Sequence, residues 1–159
     1  MGRPELPPLP DDIIDTLNGN LGGLNETIGF RWTEVGYDRV VGIVPITPAL
    51  HQPFGLVHGG VYCSIVETMA STAAWLQVMH LGQKVVGLEN ATSFLNATRE
   101  GNLTGVCTPL SRGRRAQVWQ VDIHNDLGKI AASGKVRLLA LEPDEAVAGK
   151  KVGRGPSDN

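Results

Sequence analysis

The strongest constraint in this chain is a missing charge. From Val40 to Gln83 a single formally charged side chain occurs, Glu67. Every other residue there is apolar, small, neutral polar, proline or histidine. So long an uncharged stretch belongs to a core. A carboxylate inside a core is costly unless it is paired, and enzymes place working carboxylates in such surroundings. The plainer reading puts Glu67 on the solvent side of a helix, where isolated glutamates are usually found.

The rest of the composition narrows the class. The chain has 159 residues, enough for one domain with a proper core. Lys plus Arg is 14 and Asp plus Glu is 16, so the net charge is −2. No basic excess marks a nucleic-acid binder. The hydrophobic fraction of 42% against 19% charged indicates folding rather than disorder. Cys63 and Cys107 are too few for a disulfide framework. The first residues show no apolar signal region, and no run reaches the roughly 18 apolar residues of a membrane span. A cytoplasmic protein with no membrane partner is expected.

Residues 1–19 read as a proline-rich arm with a short helix over Asp11–Leu17, followed by a loop over Asn18–Asn25. Thr27–Val35 and Arg39–Ile46 form a hairpin candidate around Gly36-Tyr37-Asp38. After a proline-marked loop, Val61–Leu81 has apolar residues at three- and four-residue steps. It predicts one long helix, apolar nearly all round and therefore buried, ended by Gly82. Four β-like runs follow, Lys84–Ala97, Asn102–Leu110, Arg115–His124 and Lys129–Leu141, predicted as a meander. The tail over 143–159 is polar and expected to fray. The class is α+β, with the main domain over 20–142. One helix leaves sheet surface and edges uncovered, so a homo-oligomer is expected.

The residues around Glu67 suggest chemistry. Gln52-Pro53-Phe54-Gly55-Leu56-Val57-His58-Gly59-Gly60 leads into the helix, where free N–H groups suit a developing oxyanion. Glu67 follows two turns later, and Ser71 lies four residues further on the same face. That reading gathers donors, carboxylate and hydroxyl in one region. Each has a plainer role: His58 a helix cap, Gly59-Gly60 a tight turn, Gln52 a loop ligand, Ser71 a small packing residue. His51, His58 and Glu67 do not have zinc-site spacing, and Cys63 lacks an evident histidine setting. No metal is expected. Ser111-Arg112-Gly113-Arg114-Arg115 is a compact basic turn that could simply be solvated or could hold phosphate.

Taken together, His58-Gly59-Gly60, the helix with Glu67 and Ser71, and the four strands resemble the hotdog-fold acyl-CoA thioesterases. The likeness runs from about Asn20 to Leu141. It is strongest to the branch with 1,4-dihydroxy-2-naphthoyl-CoA hydrolase, of menaquinone synthesis, and the enterobactin proofreading thioesterase. Gln52-Pro53-Phe54-Gly55-Leu56, Lys84-Val85-Val86-Gly87-Leu88-Glu89, Arg99-Glu100-Gly101 and Gln117-Val118-Trp119-Gln120 carry it. The resemblance implies an antiparallel sheet wrapped around one central helix and hydrolysis of an aromatic or medium-chain acyl-CoA. It implies that Glu67 attacks the thioester or activates water and that Gly59 polarises the carbonyl. Gln52 and His58 would position the carbonyl and the loop, and Ser71 would orient the carboxylate. It implies coenzyme A contacts at Gly87, Phe94, Leu95, Asn96, Ala97, Ser111, Arg112, Gly113, Arg114, Arg115 and Ala116. It also implies a dimer that shares each site, within a dimer-of-dimers tetramer, and no cofactor beyond the substrate's coenzyme A. Phe94 stands where those relatives tend to have His, and Asn96 where they tend to have Arg. Two rivals are a hotdog dehydratase, whose loop usually reads His-Phe-Pro-Gly, and a non-catalytic acyl-CoA-binding domain.

Overall fold

The computed structural model describes residues 5–151; expectations for residues 1–4 and 152–159 fall outside that range. Two short helices, α1 (Ile13–Gly19) and α2 (Gly23–Thr27), precede the hairpin β1 (Arg31–Val35) and β2 (Val40–Pro45). The long helix α3 spans Gly59–Leu76. Strands β3 (Lys84–Phe94), β4 (Asn102–Arg112), β5 (Ala116–Asn125) and β6 (Ile130–Leu141) follow. A two-residue pair, β7 (Ala146–Val147) and β8 (Lys150–Lys151), closes the described chain. The segment read as loop, Asn18–Asn25, therefore holds the end of α1 and the start of α2, and part of the tail pairs with itself.

The helix ends five residues before the expected Leu81. Gln77 donates its amide back to Ala73 O at 3.3 Å and across to Tyr37 O at 2.8 Å. A side chain that competes for the helical carbonyls favours termination. The chain then tightens into a 3-10 turn at Met79–Leu81 and turns out at Gly82, whose φ of 70° suits glycine.

The six strands form one antiparallel sheet in the order β1-β2-β4-β5-β6-β3. The predicted four-strand meander is thus corrected. β4, β5 and β6 do meander, but β3 pairs with β6 and not with β4. The connection after β3 crosses the sheet end, where Leu95 and Asn96 donate to Ala131 O and Ile46 donates to Gly101 O. Seven residues can reach up to about 23 Å, enough to pass two strands spaced about 4.8 Å apart.

Helix α3 lies on the inner face of this sheet. Tyr62, Ile65, Val66, Met69, Ala70, Ala73, Ala74 and Leu76 are buried against Trp119, Val121, Ile123, Val136 and Leu138. The outward side holds Cys63, Ser64, Glu67, Thr68, Ser71 and Thr72, all half-buried. The expectation of a helix buried all round is corrected here: one sheet covers only one side. The close approach depends on glycine. A Cβ at Gly105 would stand 2.4 Å from Met69 Sδ, and one at Gly134 would stand 2.8 Å from Val66 Cγ1. Gly105→Val should therefore overpack the helix–sheet contact and cost about 1–3 kcal/mol, seen as a lower urea midpoint with an unchanged slope.

Candidate active site

The loop before α3 is tied down from several sides. Gln52 N donates to Leu56 O at 2.8 Å and Gly55 N to Gln52 O at 2.9 Å, with Gly55 at a φ of 73°. The Gln52 side-chain oxygen accepts from Phe54 N. Arg99 donates to Phe54 O and Gly55 O at 2.9 and 3.2 Å, while His51 Nε2 meets Arg99 O at 2.7 Å. Val57 N donates to Thr98 O at 2.9 Å. His58 caps the helix, its Nδ1 accepting from Gly60 N at 2.8 Å. An accepting Nδ1 leaves the ring proton of the neutral imidazole on Nε2. Gly59 is the first helical residue, so its N–H has no intrahelical acceptor.

Beside this loop is a cleft of about 330 Å3 lined by residues that include Gln52, Leu56, Gly59, Tyr62, Phe94 and Asn96. Leu95 and Ala97 also face it. Phe94 leans over Gly59, where a Cβ would meet its ring at 2.7 Å. Its centroid lies 5.8 Å from that of Tyr62. Burial raises the Tyr62 phenol above its ordinary value, with the Thr98 hydroxyl partly opposing. Asn96 is held by its own donation to Ile130 O at 2.7 Å.

Glu67 belongs to a separate cluster. Asn90 Nδ2 donates to its Oε2 at 2.9 Å and to Cys63 O at 3.1 Å. Thr92 donates to Asn90 Oδ1 at 2.7 Å, fixing the amide so that its NH2 faces the carboxylate. Ser71 Oγ lies 3.4 Å from Oε1. Gly87 supplies the space, since a Cβ there would stand 2.3 Å from Oε1. These partners are neutral donors, so they orient the carboxylate without quenching its charge by an ion pair.

The two clusters do not meet within one chain. Gly59 and Glu67 are eight residues apart on one straight helix, a rise of about 12 Å. The expected gathering of donors, carboxylate and hydroxyl in one region is corrected by that distance. The basic turn lies elsewhere again, beyond the C-terminal end of α3. Arg112 is engaged there by Asp38, by Tyr37 O at 3.2 Å and by the Trp119 ring at 5.9 Å. Gly113 allows the turn to close, since a Cβ would meet Ala116 O at 2.6 Å. Ser111, Arg114, Arg115 and Ala116 are exposed. Among the described residues no group of three or more His, Cys, Asp or Glu could hold a metal ion, and no helix is long and apolar enough to cross a membrane.

Comparison with known proteins agrees with this architecture. The family model described as Thioesterase superfamily matches residues 54–132. The proofreading thioesterase EntH of Cronobacter turicensis is 36% identical over 129 residues, covering 80% of this chain and 93% of its own. The 1,4-dihydroxy-2-naphthoyl-CoA hydrolase of Escherichia coli is 37% identical over 125 residues, covering 77% and 91%. A thioesterase structure from Haemophilus influenzae superposes with a TM-score of 0.79 at 31% identity, covering 83% and 92%. The chain belongs to the thioesterase superfamily. It is an acyl-CoA thioesterase with the hotdog architecture.

Within this thioesterase, sequence reasoning singled out Glu67, Ser71, Gly87 and the Gln52–Gly59 loop but not Asn90, Thr92 and Arg99, which the structure places against that carboxylate and that loop. Asn90 and Thr92 alternate along β3 at a spacing of two, which puts both on the same face of the strand. That periodicity was the available signal, but only the β3–α3 packing says which face it is. The carboxylate is the flexible end of a side chain, so crowding it should move it rather than unfold the protein. Gly87→Ala is expected to keep the melting temperature within about 2 °C. It should lower kcat by about 10²-fold through misplacement, checked by calorimetry and steady-state thiol release.

Proposed function

We propose that the thioesterase hydrolyses its acyl-CoA at a site assembled from two copies of the chain. Glu67 of one copy would face the Gln52–Gly59 loop of the other. The carrying observation is the separation of about 12 Å between Gly59 and Glu67. One thioester group cannot span it, because its carbonyl oxygen and carbon are bonded neighbours. The eleven residues of β3 form a sheet edge, and Glu89–Ala91 and Ser93–Ala97 at and beyond its end are exposed. Such an edge invites pairing with another strand, and β3 carries Gly87, Asn90 and Phe94.

The chemistry follows from these parts. The thioester oxygen accepts from the Gly59 N–H at the helix start, where the dipole favours negative charge. Gln52 and His58 hold the loop that presents this donor. Glu67, aimed by Asn90 and Ser71, attacks the carbonyl carbon or takes the proton of an attacking water. Collapse of the tetrahedral oxyanion breaks the carbon–sulfur bond. The coenzyme A thiolate leaves and takes up a proton; where water attacked, the acid is released directly, and where Glu67 attacked, water then hydrolyses the mixed anhydride to give the acid and restore the carboxylate. The scheme draws on no cofactor beyond the coenzyme A of the substrate.

An aromatic acyl group is the favoured substrate. The cleft beside Gly59 presents the rings of Tyr62 and Phe94 with Leu56, and flat groups stack on such rings. The Escherichia coli relative is named for a dihydroxynaphthoyl thioester, which makes a role in menaquinone synthesis the reading to test first. Rates on dihydroxynaphthoyl-, benzoyl- and medium-chain acyl-CoA decide it: a higher kcat/KM for the medium chains overturns the aromatic preference.

Glu67→Gln should reduce kcat by at least about 10²-fold with the fold intact. Gly59→Pro, which removes the N–H at a first helical position that tolerates proline, should do the same when compared with a Phe94→Ala background that makes room for its Cβ, which would otherwise stand 2.7 Å from the Phe94 ring. Mixed after subunit exchange, the two inactive variants should recover about a quarter of wild-type activity, from one intact site in each hybrid dimer. No recovery despite verified exchange would place both groups in one chain. Asn90→Ala should lower kcat by about tenfold, the loss of one hydrogen bond to a charged group, while KM changes little.

A further inference from the structure

Two segments distant in sequence meet beside the start of α3. One is the Gln52–Gly59 loop. The other is the connection from β3 to β4, residues 95–101, whose Leu95, Asn96 and Ala97 line the cleft next to Gly59. The connection is pinned at both ends. Leu95 N and Asn96 N donate to Ala131 O at 2.8 and 3.1 Å, and Ile46 N donates to Gly101 O at 2.9 Å. Asn102 N, just past it, donates to Asp126 Oδ2 at 2.9 Å. It forms a fixed strut across the sheet end.

The loop hangs from that strut in two ways. Its two ends are held by main-chain carbonyls. His51 Nε2 donates to Arg99 O at 2.7 Å, and Val57 N donates to Thr98 O at 2.9 Å. Its tip is held by a side chain. Arg99 Nη1 donates to Phe54 O at 2.9 Å and to Gly55 O at 3.2 Å. Apolar burial adds little there, because Phe54 is 81% exposed. Hydrogen bonds from an ionised donor are the stronger kind. A Cβ at Gly55 would stand 3.2 Å from the same Nη1, so the guanidinium lies directly against the turn.

We propose that Arg99 is a positioning residue for the hydrolysis. Its guanidinium sets the tip of the Gln52 loop, and through the tip the Gln52 side chain and the Gly59 N–H, without touching the thioester. This rests on the reading of Gly59 as the oxyanion donor. A donor aimed at charge that develops only in the transition state acts on kcat rather than on KM.

Arg99→Ala keeps both main-chain anchors and removes only the hold on the tip. Arg99 is exposed, so the variant should fold. It should lower kcat at least about tenfold, with KM for the same acyl-CoA changed less than about twofold. Free guanidinium, far below denaturing concentration, should restore part of the kcat lost in Arg99→Ala and leave wild type and Glu67→Gln unchanged. Arg99→Lys, a cation without the planar fork, should fall between Arg99→Ala and wild type.

The loop can also be followed without turnover. His58-Gly59 and Phe54-Gly55 are the only His-Gly and Phe-Gly pairs in the sequence. Carbonyl-labelled histidine or phenylalanine combined with nitrogen-labelled glycine therefore isolates each glycine amide by NMR. Both resonances should move in Arg99→Ala and return toward their wild-type positions with guanidinium. Resonances that stay in place, or a loss of kcat that guanidinium does not relieve, overturn the proposal and leave the Gly59 reading standing. Resonances that move and return while kcat stays at the wild-type value would instead sink that reading and keep Arg99 only as a brace of the loop.

Discussion

Everything in this molecule depends on how closely α3 approaches the sheet. The contact is made by Ile65, Val66, Met69 and Ala73 on the helix, against a floor that drops to glycine at Gly105 and Gly134. Interiors are packed to crystal-like density, so a methyl group too many at either glycine would push the helix outward. The same closeness shapes the surroundings of Glu67. Where α3 meets β3, Gly87 leaves room for a carboxylate in place of a hydrocarbon side chain, and Asn90 supplies the hydrogen bond that makes its half-burial tolerable.

A tightly held helix separates its own functional groups. The proposed oxyanion donor is at the first turn because only there are N–H groups unclaimed. The carboxylate sits two turns on because only there does β3 offer a glycine and an amide. Rigid geometry keeps them about 12 Å apart, and no loop movement shortens a straight helix. In the two-copy site proposed above, a second copy of the chain would bring its donor to a carboxylate it does not itself carry. The exposed β3 edge, with Phe94 and Leu95 more than half exposed, is the surface such a copy would cover.

The polar attachments around the rim are equally economical. Arg99 and His51 brace the Gln52 loop from outside, a role that neither the Arg99-Glu100-Gly101 motif nor the spacing of His51 from His58 and Glu67 discloses in the sequence. Arg112 illustrates the reverse. It stands in the most basic turn of the chain and was expected to meet phosphate, yet Asp38, Tyr37 and Trp119 occupy it. A charge run shows where cations are concentrated, and only the fold shows which of them are free to meet a ligand.

The sequence by itself determined the α+β class, the long helix, the strand-forming segments and the isolation of Glu67 as the one charged side chain between Val40 and Gln83. These rest on local periodicity, turn residues and the cost of charge in a core, all of which are legible along one dimension. It also carried the helix-start loop and the basic turn. Tertiary structure decided what depends on neighbours distant in sequence. β3 pairs with β6 rather than β4, because the connection crosses the sheet end. Asn90, 23 residues from Glu67, becomes its hydrogen-bond partner. The arm at Leu6 and the turn at Arg114 come to line one cavity. Such contacts follow from strand order and packing, and local patterns do not encode those.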